Sequence, residues 1–251
     1  MDEQLVIDAK GLTKEYGKFK AVDGLTLQVA QGEVFGFLGP NGAGKTTSIL
    51  MFLGLTEPTS GTIRVCGFDP AREALRVKER VGYLPENVGF YDDMDATQNL
   101  RYVARLNRIP DSISTGKIRD LLEEVGLPGV DKKKVGVFSK GMRQRLGIAE
   151  TLIKEPKVIF LDEPTIGLDP EGTNQMLDLI CDLSRKKGIT IFLSSHLLDQ
   201  VQRICDRVGI MFQGKLVGVG TIEELAKEKL GVGAEQFTLE EIYMKYFNKE
   251  E

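Results

Sequence analysis

The pattern of apolar and polar residues changes period several times along the chain. Leu5 to Ala9, Leu25 to Val29 and Glu33 to Leu38 alternate or run apolar over five or six residues, which predicts strands. The third is a nearly unbroken apolar run that enters a glycine-rich turn, as suits a strand buried on both faces. Thr62 to Val65 and Val81 to Leu84 add two further strands. Between residues 95 and 155 the spacing becomes helical. Leu100, Val103, Ala104 and Leu106 fit one helix; Ile118, Leu121, Leu122 and Val125 fit another, ending before Gly126. Strand and helix then alternate again: a buried strand at Val158 to Leu161, a helix from Glu171 to Arg185 closed by Gly188, a strand at Thr190 to Leu193, and a helix from about Leu197. Gly209 to Val219 reads as a hairpin turning at Gln213-Gly214. Thr221-Ile222-Glu223-Glu224 and Thr238-Leu239-Glu240-Glu241 have capping-box spacing and predict two short terminal helices. Alternation of this kind predicts an α/β fold with a mostly parallel sheet covered on both faces, interrupted by a helical lobe.

Composition narrows the class. The chain has 251 residues, of which 41% are hydrophobic, enough for a large core. Charged residues make up 28% with both signs mixed, and the formal net charge of -4 lacks the basic field of a nucleic-acid binder, so no nucleic-acid partner is expected. The short basic runs Lys132-Lys133-Lys134 and Arg185-Lys186-Lys187 read as solvated helix ends or loops. The acidic opening Met1-Asp2-Glu3-Gln4 does not resemble a secretory signal, and no stretch reaches the ~18 apolar residues that span a bilayer. Cys66, Cys181 and Cys205 are far apart and odd in number, which favours reduced thiols. His196 is the sole histidine, which excludes a multi-histidine metal site.

Two segments carry chemistry. Gly39-Pro40-Asn41-Gly42-Ala43-Gly44-Lys45-Thr46 matches G-x-x-x-x-G-K-[ST] at every fixed position, between a buried strand and a helix pattern from Thr47 to Phe52. Glycines let the backbone wrap an anion with its N–H groups, and the helix start adds positive potential. Lys45 supplies a mobile charge for the outer phosphates, and the Thr46 hydroxyl is suited to magnesium. Val158-Ile159-Phe160-Leu161-Asp162-Glu163 places two carboxylates at the end of an apolar strand, where open α/β sheets bind ligands. Asp162 is placed to hold the metal and Glu163 to orient or deprotonate an attacking water.

With these motifs in this order, the chain resembles the ABC (ATP-binding cassette) ATPase family from Tyr16 to His196. The discriminating element is Ser139-Lys140-Gly141-Met142-Arg143-Gln144-Arg145, similar to the family signature L-S-G-G-Q-x-Q-R. Phe138, Lys140 and Met142 depart from it, while Ser139 and Gly141 are kept. Lys140 either adds charge at the γ-phosphate or points to water. The resemblance implies a P-loop NTPase (RecA-like) core with an N-terminal antiparallel β subdomain. The divisions expected are a first part of the ATP-binding core at 1–94, a helical signature lobe at 95–155, a second part of the core at 156–220 and a C-terminal helical extension at 221–251. It implies ATP and Mg2+ as ligands, Tyr16 stacked on adenine, Val22 lining the nucleotide, and Gly39 to Thr47 around the phosphates. It further implies Ser139 and Gly141 gripping the ATP of a second ATPase subunit, Asp169 in a loop linking the two sites, and His196 near the γ-phosphate. Glu86, in Tyr83-Leu84-Pro85-Glu86, replaces a glutamine that senses magnesium and the membrane partner; it is expected to keep that role and to make it pH-dependent.

Glu86, Lys140 and Met142 together resemble the branch serving ABC-2-type exporters. The implied function is ATP hydrolysis, with Lys45, Glu163 and His196 catalytic, driving a transporter from the cytoplasmic face of a membrane through integral membrane subunits. The second ATPase subunit can be a copy or a similar chain. A soluble ATPase of the same family, serving a task such as cluster assembly, shares every motif, and a non-hydrolysing regulatory subunit would need damaged catalytic positions that are intact here.

Overall fold

A computed structural model of the chain describes residues 4–130, 132–231 and 238–247. The chain runs through β1 (Leu5–Tyr16), β2 (Phe19–Ala30), β3 (Val34–Leu38), α1 (Lys45–Phe52), β4 (Ser60–Val65), α2 (Ala74–Lys78) and β5 (Val81–Leu84). It continues through α3 (Ala96–Leu106), α4 (Asp111–Glu124), α5 (Lys140–Leu152), β6 (Val158–Asp162), α6 (Pro170–Lys187), β7 (Thr190–Ser195) and α7 (Leu198–Ile204). It closes with β8 (Arg207–Phe212), β9 (Lys215–Gly220), α8 (Ile222–Leu230) and α9 (Leu239–Phe247).

The expected α/β architecture is present. A three-stranded antiparallel sheet has the order β2-β1-β4, and a six-stranded sheet has the order β5-β6-β7-β3-β8-β9. The larger sheet is parallel except for β9, which returns from β8 as the predicted hairpin. Its central strands are buried throughout, and their alternation feeds two cores. Phe35, Phe37, Phe160 and Phe192 face the small sheet and α1, where they form an aromatic cluster with Phe52. Leu38, Ile159, Leu161, Ile191 and Leu193 face the other core, shared with α3 to α7. Gly36 lets α7 approach closely, since a methyl group there would lie 2.6 Å from Val201 Cγ1.

Several boundaries differ from the sequence pattern. β1 and β2 extend well beyond Leu5 to Ala9 and Leu25 to Val29. Their register slips between Ala9 and Leu12 and again between Leu12 and Glu15, and each bulge resets the inside–outside alternation that identifies a strand. α1 begins at Lys45 rather than Thr47. α2 went unpredicted because it is one short turn with Val77 alone buried. Both terminal capping boxes form, at Thr221/Glu224 and at Thr238/Glu241.

Candidate nucleotide site

β3, β6 and β7 end at the same level, because Leu38 pairs with Ser195 and Asp162 pairs with Ser194. The loop after β3, the two carboxylates after β6 and His196 after β7 therefore converge beyond the strand carboxyl ends. A cavity of about 240 Å3 opens there, lined by Pro40, Asn41, Gly42, Gly44, Lys45, Thr46 and Thr47, by Asp162 and Glu163, and by Phe19, Ala21 and Glu86.

The phosphate loop is held from behind. The Gly214 N–H donates to the Ala43 carbonyl at 3.1 Å, and Gly39 passes so near β8 that a methyl group would meet the Met211 carbonyl at 2.5 Å. Gly44 adopts φ 104°, and a side chain there would strike the Ala21 carbonyl at 2.4 Å. Gly44 caps α1 without any side-chain hydrogen bond, so the first N–H groups of that helix are left for an anion. Lys45 is only 6% exposed. Its ammonium donates to the Gly39 carbonyl at 2.6 Å and the Pro40 carbonyl at 3.3 Å, and lies 3.5 Å from Glu163 Oε1.

The carboxylates are differently engaged. Thr46 Oγ1 donates to Asp162 Oδ2 at 3.0 Å, and the Ser194 hydroxyl donates to Asp162 Oδ1. Glu163 has φ 50°, uncommon for a side-chain-bearing residue and costly by roughly 1–3 kcal/mol. That turn aims its carboxyl away from Asp162. Its Oε2 meets His196 Nδ1 at 2.9 Å, while its buried Oε1 has no hydrogen-bond partner. Nearby, burial and the Asp162 charge push the Tyr83 phenol up to about 12.

These groups fit magnesium and a polyphosphate. Thr46 and Asp162 offer hard oxygen ligands side by side. Among the described residues no cluster of three or more His, Cys, Asp or Glu side chains could hold a metal alone, so an ion at this pair must complete its shell with phosphate and water oxygens. The buried Lys45 ammonium and the Glu163 carboxylate, 3.5 Å apart, both belong to residues that line this cavity.

Other expected residues lie elsewhere. Tyr16 is 51% exposed at the tip of the β1–β2 hairpin and does not line the cavity. Val22 does not line it either; it is fully buried behind the loop, against Gly44. Phe19 and Ala21 form the wall on that side, and sequence reasoning missed both. Nothing marked Phe19 apart from other strand aromatics. Ser194 was also missed, although a hydroxyl at the end of an apolar strand signals a buried hydrogen bond.

Ser139, Gly141 and Asp169 line a second cavity of about 400 Å3, with Lys140, Gly167 and Leu168. Ser139 caps α5, its hydroxyl accepting from Met142 N at 3.3 Å, and Asp169 caps α6 through Gly172 N at 3.0 Å. The Lys140 side chain lies against Gly167, whose missing methyl group would sit 2.7 Å from Nζ. Arg143 pairs with Asp92, and the buried Gln144 approaches the Glu86 carbonyl at 3.5 Å.

Comparison with known proteins agrees with this geometry. The family described as ABC transporter matches residues 22–166. The bacitracin transport ATP-binding protein BcrA of Bacillus licheniformis is 45% identical over 222 residues, covering 88% of this chain and 72% of that protein. The daunorubicin resistance ATP-binding protein DrrA3 of Streptomyces coeruleorubidus is 39% identical over 230 residues, covering 92% and 72%. A solved ATP-binding subunit of an ABC transporter superposes with a TM-score of 0.86 at 28% identity, covering 97% of this chain and all of that one. The chain belongs to the ABC transporter family, as an ATP-binding subunit.

Proposed function

We propose that the chain hydrolyses Mg-ATP in a head-to-tail pair with a second ATP-binding subunit and uses the closure to drive export through integral membrane subunits. The observation that carries this reading is the division of one reaction centre between two cavities of a single chain. Lys45, Thr46, Asp162 and Glu163 line the first cavity, with His196 held against Glu163, while Ser139 and Gly141 border the second.

In this reading the phosphate-loop N–H groups and Lys45 bind the phosphate chain, and the base lies at the hairpin end. Thr46 and Asp162 would hold the magnesium ion, which when bound offsets charge on the phosphate oxygens. Ser194 keeps the Asp162 carboxyl oriented by donating to its other oxygen. Glu163 orients and deprotonates the attacking water, and His196 fixes the Glu163 carboxyl through its Nδ1. Lys45 must leave its present carbonyl acceptors to follow the phosphates. Ser139 and Gly141 of the second subunit complete the site from the opposite side. Glu86 lines the same cavity, which supports a role in sensing its occupancy. Asp169 links the two sites through the α6 cap.

A groove of about 220 Å3, lined by Leu53, Leu55, Lys78, Tyr83, Val103 and Glu150, supports the membrane-subunit contact. Leu55 in the groove and Tyr102 and Leu106 on α3 expose apolar surface that a lone subunit has no need of. Among the described residues no helix is long and apolar enough to cross a membrane, which fits attachment at the cytoplasmic face through such partners. The relatives' names, bacitracin transport and daunorubicin resistance, support outward transport of drug-like compounds and the exporter branch over a soluble task.

Phosphate release from Mg-ATP, together with light scattering of Glu163→Gln, tests the proposal. The variant should lose turnover and accumulate a dimer with ATP. A monomer at saturating Mg-ATP would remove the shared-site reading.

A further inference from the structure

We propose that Thr165 and Gln200 are positioning residues for hydrolysis, their hydrogen bond holding the segment that carries Glu163 in register with the segment that carries His196; the inference rests on the hydrolytic reading above. Neither residue lines the nucleotide cavity, so they act through Glu163 and His196 rather than on the nucleotide. Two chain segments leave neighbouring strands side by side. After β6 come Glu163, Pro164 and Thr165; after β7 come His196 and then α7, which carries Gln200 in its first turn. Two rungs join these segments. Glu163 Oε2 meets His196 Nδ1 at 2.9 Å, and the Thr165 hydroxyl donates to Gln200 Oε1 at 2.5 Å.

The rungs differ in their surroundings. His196 is exposed, whereas Thr165 is only 4% exposed, and a buried hydroxyl needs its acceptor more than a group in water does. Gln200 is itself carried on a braced helix. Val201 fills the space that Gly36 leaves on β3, and Arg203 donates to Asn174 at 2.5 Å and to Asp178 at 2.7 Å on α6. Pro164 alone separates Thr165 from Glu163, whose φ of 50° is a conformation that the surroundings must impose. The Glu163 N–H, donating to the Ser194 carbonyl at 3.1 Å, fixes the near side of that turn. The Thr165–Gln200 bond fixes the far side, and between them the Glu163 carboxyl is held against the His196 ring.

His196 is the sole histidine, so its ring nitrogens give isolated magnetic resonance signals when histidine is isotope-labelled. In the nucleotide-free chain, Gln200→Ala and Thr165→Val should each move the Nδ1 signal towards its position in Glu163→Ala, where the acceptor is absent. Gln200→Glu keeps an acceptor and Thr165→Ser keeps a donor, and both should hold the signal near its wild-type position. In phosphate release, Gln200→Ala should lower kcat ~10-fold with KM for Mg-ATP unchanged, because a misplacement on the order of 1 Å costs up to ~10²-fold. Thr165→Val combined with Gln200→Ala should lose no more than either alone, since both remove the same bond. A wild-type Nδ1 signal or a wild-type kcat in Gln200→Ala, a loss confined to KM, or additive losses in the double variant would each overturn the assignment. The expected movement of the Nδ1 signal in a protein whose wild type releases no phosphate from Mg-ATP would instead defeat the hydrolytic reading.

Discussion

The turn before α1 and the turn before α5 each deliver a helix N-terminus to an open cavity, yet they are built in opposite ways. The first follows a fully buried strand, has no side-chain cap, and carries a lysine sunk into the protein. The second is exposed, is closed by its own Ser139 hydroxyl, and carries Lys140 at the surface. The difference teaches where each gets its specificity. Around Gly44 the core forces the backbone into a conformation that leaves donors unsatisfied, so the site is organised for an anion before one arrives. Around Ser139 local hydrogen bonding already satisfies the helix, and only one wall of the cavity exists. Such a surface gains from a second subunit that brings the rest.

Variants break this contrast in a graded way. The largest effect is expected for Glu163→Gln, with turnover falling by ~10² to 10⁴ in a phosphate-release assay while ATP binding persists. Gly44→Ala attacks the forced conformation. It should lower folding stability by roughly 1–3 kcal/mol and weaken ATP binding, measured by denaturant melts and calorimetry, because φ 104° and the Ala21 carbonyl leave no room for a methyl group. A variant as stable as wild type would mean the loop is not held by the core. Ser139→Ala should cost about 1 kcal/mol through the lost cap. Its ATP affinity as a monomer should hold, because Ser139 does not line that cavity, while ATP-driven dimerisation in the Glu163→Gln background weakens. The smallest effect is expected for Asp92→Ala, which frees Arg143 near the α5 turn. An exposed pair of this kind contributes about 0.5 kcal/mol or less to stability. A change in dimerisation larger than that would show that the pair orients the Ser139 turn.

Much of the site was legible because it is local. A loop that needs positive φ at Gly42 and Gly44 shows its glycines. The strands β3, β6 and β7 were recognisable since burial on both faces requires continuous apolar runs. Legibility failed where the signal was interrupted or shared. The bulges in β1 hid half of its length, and α2 was too short to show a period. Phe19 looked like any strand aromatic, and its place at the cavity depends on where the hairpin lies.

The sequence by itself determined the local geometries: the phosphate loop, the paired carboxylates, and the caps of α5 and α8. Each follows from backbone preferences and hydrogen bonds within a few residues. Tertiary structure alone decided that Thr46 donates to Asp162 across 116 positions, that Ser194 supports that carboxyl, and that Ser139 stands apart from Lys45. Those relations depend on the strand order that seats β7 between β3 and β6, and many chain segments must pack together before that order has any stability.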